Sequence, residues 1–318
     1  MPPDPLASQD YIADRRYAYA MAAARDNDHA AAADVLEQAI EQAPGWAPAW
    51  FALGEARQKL GQDVPARVAF AQALALDPTD RMGAAARLAR LAGTSPNALP
   101  RAYVARLFDD YAERFDAHLV DALAYRGPQI LAQALWLVFG ERRFARGLDI
   151  GCGTGLAGAQ LRARINRLEG ADLSPAMLQR ARIAGNYDAL ELAEATHWLT
   201  AYPPASADLI IGADVMAYIG DLGPVLSAAG RALKPSGVLA FTVERGVGAA
   251  FALAQTLRYR HSSAYVEAEA ARAGFALALR TGGATRREGG REAPGLVYVF
   301  SRCGVIDEGR HVMAQGAG

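Results

Sequence analysis

The stretch GLDIGCGTGLAG, residues 147–158, decides the fold, because a glycine-rich turn follows an apolar run that ends in Asp149. Glycines let the backbone turn tightly and let a ligand approach it with no side chain in between. A helix that begins near Thr154 would direct its free N–H groups and the positive end of its dipole at such a ligand. The stretch therefore predicts a strand, a turn and a helix that hold an adenosine-bearing cofactor.

Short apolar runs recur along the chain from this turn onward. The first five runs alternate with helical patterns, which predicts a doubly wound, mostly parallel sheet of the α/β class. The last two runs have no helix between them, so they predict an antiparallel pair at the edge of a seven-stranded sheet. The runs are at 144–150, 167–173, 189–193, 207–213, 237–243, 274–280 and 295–300.

The N-terminal part of the chain repeats itself every 34 residues, with one copy at 13–46 and a second at 47–80. In the second copy, Gly54 would let two helices cross closely, and Phe70 would fill the seam between them. Pro78 would end the second helix because it cannot continue the hydrogen-bond ladder. The second copy resembles the tetratricopeptide repeat and the first resembles a degenerate one, with an ordinary alanine-rich helical hairpin as the alternative.

These patterns predict the domain organisation. Residues 1–94 would form the all-α repeat region with a capping helix, and the turn formers of residues 95–100 would link it to an α/β domain at 101–302. Residues 303–318 would be a flexible tail. Because about three repeats are usually needed for a stable array, we expect the repeat region to dock on the rest of the chain or on a second copy.

Composition excludes several classes of protein. The chain has 33 basic and 34 acidic residues with no long block of one sign, so nucleic acid and anionic membranes are not expected partners. No apolar stretch approaches the roughly 20 residues of a membrane span, and the N-terminus lacks the pattern of a secretory signal. Cys152 and Cys303 lie far apart, which predicts neither a disulfide framework nor a metal site and favours the cytoplasm.

The spacing of the glycines separates two kinds of cofactor. A dinucleotide fingerprint places a glycine three residues after Gly153, but Leu156 stands there and the glycine comes one residue earlier, at Gly155. This disfavours NAD and FAD. Asp172 follows the next strand, where a carboxylate can accept hydrogen bonds from both hydroxyls of a ribose, as NAD and S-adenosylmethionine both require.

Four motifs in order resemble the class I S-adenosylmethionine-dependent methyltransferases over about residues 101–302. They are LDIGCGTG, ADLSPAML, DLIIGADVMAYIGDL and RALKPSGVLAFTVE. Together with the preceding repeats, they resemble a bacterial group of predicted methyltransferases that contain tetratricopeptide repeats. The resemblance implies a Rossmann-like fold and S-adenosylmethionine as the cofactor, and it names no single acceptor.

The resemblance also implies which residues contact the cofactor. Asp149, Gly151 and Gly153 would hold its methionine part, and Asp172 would hold its ribose. Cys152 would be a small residue tolerated beside the cofactor, with a reactive thiol as the alternative.

Further positions complete the implied site. Leu173 and Met177 would lie beside the adenine, and Glu194 would accept from the adenine amino group. Asp214 would border both the cofactor and the acceptor. Tyr111 belongs to a helix predicted over 103–123, which in relatives folds over the cofactor as a lid.

Three residues are candidates for catalysis. His118 and His261 are possible general bases because imidazole titrates near neutrality, and Tyr218 is a comparable candidate. The alternatives are structural, since His118 would equally form a polar edge of its helix and His261 precedes a helix that Ser262 or Ser263 would cap. No His, Cys and Asp spacing predicts a metal ion.

The leading hypothesis is an enzyme that transfers a methyl group from S-adenosylmethionine to a small molecule, or less readily to a protein side chain. GADVMAY stands where an NPPY-type segment would follow the fourth strand, which disfavours adenine-amino and glutamine-amide acceptors. The alternatives are a non-catalytic cofactor-binding scaffold that acts through its repeats and a nicotinamide oxidoreductase. The repeats would present a protein partner, cover the site or form a homodimer.

Overall fold

The structure of the chain, a computed structural model, describes residues 6–112, 126–248, 250–288 and 291–302. Among these, the residues up to Tyr111, 217–220 and 251–260 form one compact unit, and the rest form a second. The predicted tail at 303–318 and most of the predicted helix over 103–123 lie outside the described residues. The sequence-based boundaries at 94 and 101 stay a prediction.

The first unit consists mainly of helices. Asp10 and Asp28 begin the first two because each side chain accepts a hydrogen bond from a backbone N–H three residues on, at 2.8 and 3.0 Å. The helices are α1 Tyr11–Arg25, α2 His29–Gln42, α3 Ala47–Lys59, α4 Asp63–Leu76, α5 Ala84–Leu91 and α6 Arg101–Tyr111.

A close contact between α3 and α4 explains the glycine at position 54. A Cβ atom on Gly54 would lie 2.6 Å from the ring of Phe70, which is fully buried with Ala66 on the same helix. Helix α4 ends at Leu76, two residues before Pro78. The close crossing predicted from Gly54 and Phe70 is confirmed.

Hydrogen bonds join the segment 95–100 to two later parts of the first unit. The backbone N–H of Leu253 donates to Ser95 Oγ at 3.0 Å, and the hydroxyl of Tyr259 donates to the carbonyl of Pro96 at 2.7 Å. The N–H of Gly220 donates to the carbonyl of Asn97 at 3.0 Å. These bonds fix a segment whose composition predicts only a turn-rich connector.

A parallel sheet forms the centre of the second unit. Its strands are β1 Phe144–Ile150, β2 Ile165–Asp172, β3 Ala189–Leu192, β4 Ala207–Gly212, β5 Leu233–Arg245, β8 Phe275–Glu288 and β9 Arg291–Arg302. The first five lie in the order β3-β2-β1-β4-β5 and are parallel, whereas β9 pairs antiparallel with both β5 and β8. The predicted α/β class, the mostly parallel sheet and the antiparallel edge pair are confirmed.

The predicted number of seven strands is wrong for the described residues, which contain nine. The two additional strands are β6 Phe251–Leu253 and β7 Tyr259–His261. Each is three residues long, too short to show the alternation of apolar and polar residues from which strands are predicted.

Helices cover the sheet of the second unit. They are α7 Gly127–Phe139, α8 Leu156–Leu161, α9 Pro175–Ala184, α10 Ala195–Ala201, α11 Gly223–Ala232 and α12 Ser263–Arg272. Leu131 and Leu135 of α7 and Leu161 of α8 form one buried cluster with Phe144 of β1 and Val299 of β9. The carboxyl ends of β1, β2 and β4 lie beside each other at the point where the strand order reverses, which is where open α/β sheets bind ligands.

The described helices differ from those that span a bilayer. None of them combines the length and the apolar character that crossing a membrane requires. The cytoplasmic location inferred from the cysteines stays a prediction.

Candidate cofactor-binding site

The glycine-rich turn after β1 has a backbone that only glycine adopts easily. Gly151, Gly153 and Gly155 all have positive φ angles, of 64°, 54° and 97°. A Cβ atom on Gly151 would also lie 2.6 Å from Cγ2 of Val215, which follows β4. Helix α8 begins at Leu156, directly after Gly155. The turn predicted from the sequence is therefore present, with its helix starting two residues later than Thr154.

Asp149 lies at the end of β1 with no exposed surface. Its Oδ2 accepts a hydrogen bond from the hydroxyl of Tyr187 at 2.6 Å, and its Oδ1 is buried with no hydrogen-bond partner among the described residues. Burial raises the pKa of Asp149 to about 7, the charge of Asp172 raises it as well, and the bond from Tyr187 lowers it. The turn thus contains a buried oxygen that can accept a hydrogen bond.

Asp172 lies at the end of β2 and is held by two backbone groups. Its Oδ2 accepts from the N–H of Gly153 at 2.9 Å, and its Oδ1 accepts from the N–H of Ser174 at 2.9 Å. Ser174 caps α9 by accepting from the N–H of Met177 at 3.0 Å, and Pro175 is the first residue of that helix. The carboxylate is therefore fixed between the turn after β1 and the start of α9.

Two apolar residues beside Asp172 differ in exposure. Leu173 is half-buried, whereas Met177 is buried completely and presents no surface to a ligand in this conformation. Of this pair, Leu173 is the side chain with exposed surface.

Cys152 is buried within the turn. Its N–H donates to the carbonyl of Ala171 at 3.0 Å, which pairs the turn with β2. Burial raises the pKa of its thiol, and the carboxylates of Asp149 and Asp172 raise it further. A protonated, buried thiol supports the interpretation of a small residue rather than a reactive one.

Glu194 and Asp214 follow β3 and β4. The carboxylate of Glu194 caps α10, because Oε1 accepts from the N–H of Thr196 and Oε2 from that of His197, both at 2.9 Å. Asp214 has a φ of 67°, and its N–H donates to Oγ1 of Thr242 on β5 at 2.8 Å. Both acidic residues are half-buried.

The predicted catalytic residues and the predicted lid residue do not all belong to the same unit. Tyr218 belongs to the first unit, where its hydroxyl is 2.6 Å from Nη1 of Arg258 and its ring contacts Phe108 edge-on. Tyr111 ends α6 in the same unit and is half-buried. His118 lies outside the described residues.

His261 ends β7 and belongs to the second unit. It is completely buried, and its ring stacks on that of Tyr265 at 6.1 Å. Ser262 caps α12 by accepting from the N–H of Tyr265 at 3.2 Å, so one of the two predicted capping serines is confirmed.

Tyr187 also lies at the turn and is not among the residues that the sequence predicts for the site. Its ring lies against glycines of the turn, of α8 and of β2, where a Cβ atom on Gly155, Gly158 or Gly170 would approach it to 3.0, 2.5 or 2.9 Å. These glycines are the signal that could have revealed a large side chain in the site, although they do not say which residue supplies it. Among the described residues, no group of three or more His, Cys, Asp and Glu side chains is placed to hold a metal ion.

Comparison with known proteins agrees with this geometry. Residues 148–241 match the methyltransferase domain family. The chain is 36% identical over 110 residues to methyltransferase-like protein 27 of Homo sapiens, covering 33% of this chain and 44% of that protein. It is 34% identical over 114 residues to malonyl-[acyl-carrier protein] O-methyltransferase of Salmonella typhimurium, covering 35% and 43%. The chain thus spans less than half the length of either relative.

A solved structure shares the fold. The 1,6-didemethyltoxoflavin-N1-methyltransferase of Burkholderia thailandensis, solved with 1,6-didemethyltoxoflavin and S-adenosylhomocysteine, superposes with a TM-score of 0.51 at 18% identity. The match covers 66% of this chain and 92% of that one. The α/β region of this chain therefore shares the fold of that methyltransferase, and residues 148–241 are similar in sequence to the methyltransferase domain family.

Proposed function

We propose that this chain is an enzyme that transfers the methyl group of S-adenosylmethionine to a small-molecule acceptor. The observation that carries the proposal is the buried Oδ1 of Asp149, which lacks a hydrogen-bond partner among the described residues and lies at the glycine turn. A carboxylate offers only acceptors, which suits the ammonium group of the cofactor's methionine part and its positive sulfonium. A dinucleotide carries a negative pyrophosphate at the corresponding turn, which an unpaired carboxylate would repel.

The remaining cofactor contacts follow from how the side chains are held. Asp149, Gly151 and Gly153 would bind the methionine part, because the turn presents backbone without side chains. Asp172 would bind the ribose hydroxyls, since the N–H groups of Gly153 and Ser174 fix its two acceptor oxygens beside the turn. In our proposal Leu173 and Met177 lie beside the adenine, with Leu173 half-buried and Met177 fully buried before the cofactor binds.

Glu194 and Asp214 complete the proposed site. The capping bonds orient the carboxylate of Glu194, whose acceptor oxygens would bind the adenine amino group. The bond to Thr242 fixes the backbone of Asp214 at the end of β4, where it would border the cofactor and the acceptor. Cys152 would lie beside the cofactor without reacting.

The chemistry requires alignment more than functional groups. Bound S-adenosylmethionine supplies an electrophilic methyl carbon, which a lone pair of the acceptor attacks as the sulfur leaves with the electrons of its bond. The protein would hold the acceptor in line and exclude water. If the acceptor must lose a proton, His118, Tyr218 and His261 are the proposed candidates for receiving it.

The acceptor class is supported by the names of relatives. They include the malonyl-[acyl-carrier protein] O-methyltransferase, a ubiquinone biosynthesis O-methyltransferase of Xanthomonas oryzae and a trans-aconitate 2-methyltransferase of Methylobacterium radiotolerans. These names favour a small acceptor group over a nucleic acid. The acceptor atom would be an oxygen, a nitrogen, a carbon or a sulfur.

We also propose that residues 1–94 are a tetratricopeptide-like region joined through 95–100 to a methyltransferase domain at 101–302. The tight contact of Gly54 with Phe70 supports this, because it brings two consecutive helices as close as the repeat requires. Such a region would present a protein partner, cover the site or mediate a homodimer.

Transfer of label from methyl-labelled S-adenosylmethionine tests the proposal. The full chain is incubated with a cell extract that has been separated into small molecules and proteins. We expect label in the small-molecule fraction, and its loss in Asp172→Ala. Label confined to proteins would favour a protein methyltransferase, and binding of S-adenosylhomocysteine without any transfer would favour the non-catalytic scaffold.

A further inference from the structure

The side chain of Tyr187 packs against the glycine turn, α8 and β2. Its ring fills the space that side chains at Gly155, Gly158 and Gly170 would need. Its hydroxyl lies 2.6 Å from Oδ2 of Asp149. One side chain thus connects the turn, α8 and β2 to the carboxylate that carries the proposed function.

The hydroxyl of Tyr187 acts as a donor to this carboxylate. Burial raises the pKa of Tyr187 well above its ordinary value, and the charge of Asp149 raises it further, so the hydroxyl keeps its proton. The backbone N–H of Gly158 also donates a hydrogen bond to the oxygen of this hydroxyl, so the hydroxyl is an acceptor on that side. The proton of the hydroxyl therefore points to Asp149.

Three groups around Asp149 influence its charge. Asp172 repels a second negative charge, and burial opposes ionisation, whereas the bond from Tyr187 favours it. The thiol of Cys152 stays protonated and adds no charge. Tyr187 is thus the neighbour that opposes the protonation of Asp149.

We propose that Tyr187 is a positioning residue of the cofactor site, which orients the Asp149 carboxylate, keeps it ionised and so sets the pH range in which the chain binds S-adenosylmethionine. The inference rests on the proposed function, because an ionised Asp149 matters when a cationic ligand approaches its Oδ1. A protonated Asp149 would lose the attraction for the ammonium group and would place a hydrogen where an acceptor is needed.

Calorimetric titration with S-adenosylhomocysteine between pH 5.5 and 8.5 tests this role. In the unaltered chain, we expect affinity to rise as the pH passes about 7, where Asp149 loses its proton, and to level off above. Tyr187→Phe keeps the ring against the glycines and removes only the hydroxyl. We expect its rise in affinity to move upward by about one pH unit, which makes binding roughly tenfold weaker at pH 6 and little changed at pH 8.5.

A matched control removes a hydroxyl elsewhere. Tyr202 is buried in the same unit, and its hydroxyl hydrogen-bonds to Glu169 rather than to the site. Tyr202→Phe should leave the pH profile of binding unchanged. A Tyr187→Phe variant that binds like the unaltered chain, or is weakened by the same factor at every pH, would overturn the proposal, because the hydroxyl would then not control the charge of Asp149.

A second variant keeps the test decisive if Tyr187→Phe does not fold. Asp149→Asn removes the carboxylate that titrates. We therefore expect this variant to bind S-adenosylhomocysteine weakly, with an affinity that no longer rises as the pH passes 7. A persisting rise would overturn the role of Asp149 as the titrating group. Absence of binding by the unaltered chain at every pH would instead contradict the proposed function itself, which separates the two failures.

Discussion

The backbone N–H of Gly153 donates to Oδ2 of Asp172 at 2.9 Å, and this bond ties the turn after β1 to the end of β2. The two strands are neighbours in the parallel sheet, with Ile150 opposite Ala171. One carboxylate thus shapes the turn and, in our proposal, would also bind the ligand that the turn holds. Binding of the cofactor and local order of the site should therefore respond to the same substitution.

Asp172→Ala should weaken the binding of S-adenosylhomocysteine by about 1–3 kcal/mol, because it strands ribose hydroxyls and the N–H groups of Gly153 and Ser174. Asp208→Ala is the matched control. Its Oδ2 also accepts a backbone N–H, from Arg146 at 2.9 Å, but it lies near the amino end of β4. Calorimetry should show the loss in Asp172→Ala alone, and equal losses in both variants would contradict the ribose assignment.

Asp149→Asn should stabilise the ligand-free protein at pH 8 while weakening cofactor binding. The pKa of Asp149 is raised to about 7 in the folded chain, so the folded state holds a proton that the unfolded chain loses at lower pH. Stability from this group is therefore complete at acid pH and is lost as the pH rises to about 7.

Asparagine keeps the shape of the protonated side chain at every pH. We expect the variant to gain at most about 4 kcal/mol in the free energy of unfolding at pH 8, and to match the unaltered chain near pH 4. Urea denaturation at several pH values measures this. A difference that does not change with pH would show that Asp149 is not the group responsible.

Gly158→Ala should displace Tyr187. Replacing glycine by alanine inside a helix normally raises the free energy of unfolding by about 0.5–1 kcal/mol. At this position, however, the new Cβ would lie 2.5 Å from the Tyr187 hydroxyl oxygen. We expect a net loss of about 1–3 kcal/mol in unfolding free energy together with weaker cofactor binding. Gly282→Ala in β8, where no atom lies within 4 Å of the new Cβ, is the control and should change neither quantity appreciably. A neutral Gly158→Ala would contradict the tight fit of Tyr187.

Gly54→Ala should destabilise the helical region, because its Cβ would meet the Phe70 ring at 2.6 Å. Thermal unfolding followed by circular dichroism should show the loss, and adding Phe70→Leu should recover part of it by making room. Gly45→Ala places its Cβ in open space and serves as the control. If Gly45→Ala and Gly54→Ala behaved alike, the close packing of α3 on α4 would not be the cause.

Much of the fold follows from local sequence patterns. The run at 144–150 coincides with β1, because its apolar residues and the glycine that follows mark its end. The edge strands were predicted too short, since β8 continues to Glu288 and β9 begins at Arg291. Polar residues in these extensions do not show the apolar signal from which strands are recognised.

The candidate site was predictable where function depends on backbone conformation. The positive φ angles of Gly151 and Gly153 and the capping by Ser174 each have a local signature. Tyr187 has no such local signature, because its contacts are distant in sequence and the residues next to it have the composition of a loop. The full burial of Met177 likewise depends on how α9 packs, which residue spacing alone does not reveal.

The most direct test of the account is a calorimetric titration of the full chain with S-adenosylhomocysteine and, separately, with NADH. We expect saturable binding of one S-adenosylhomocysteine per chain near neutral pH, and much weaker binding of NADH. Tighter binding of NADH, or no binding of S-adenosylhomocysteine at any pH from 5.5 to 8.5, would contradict the claim that the glycine turn holds S-adenosylmethionine.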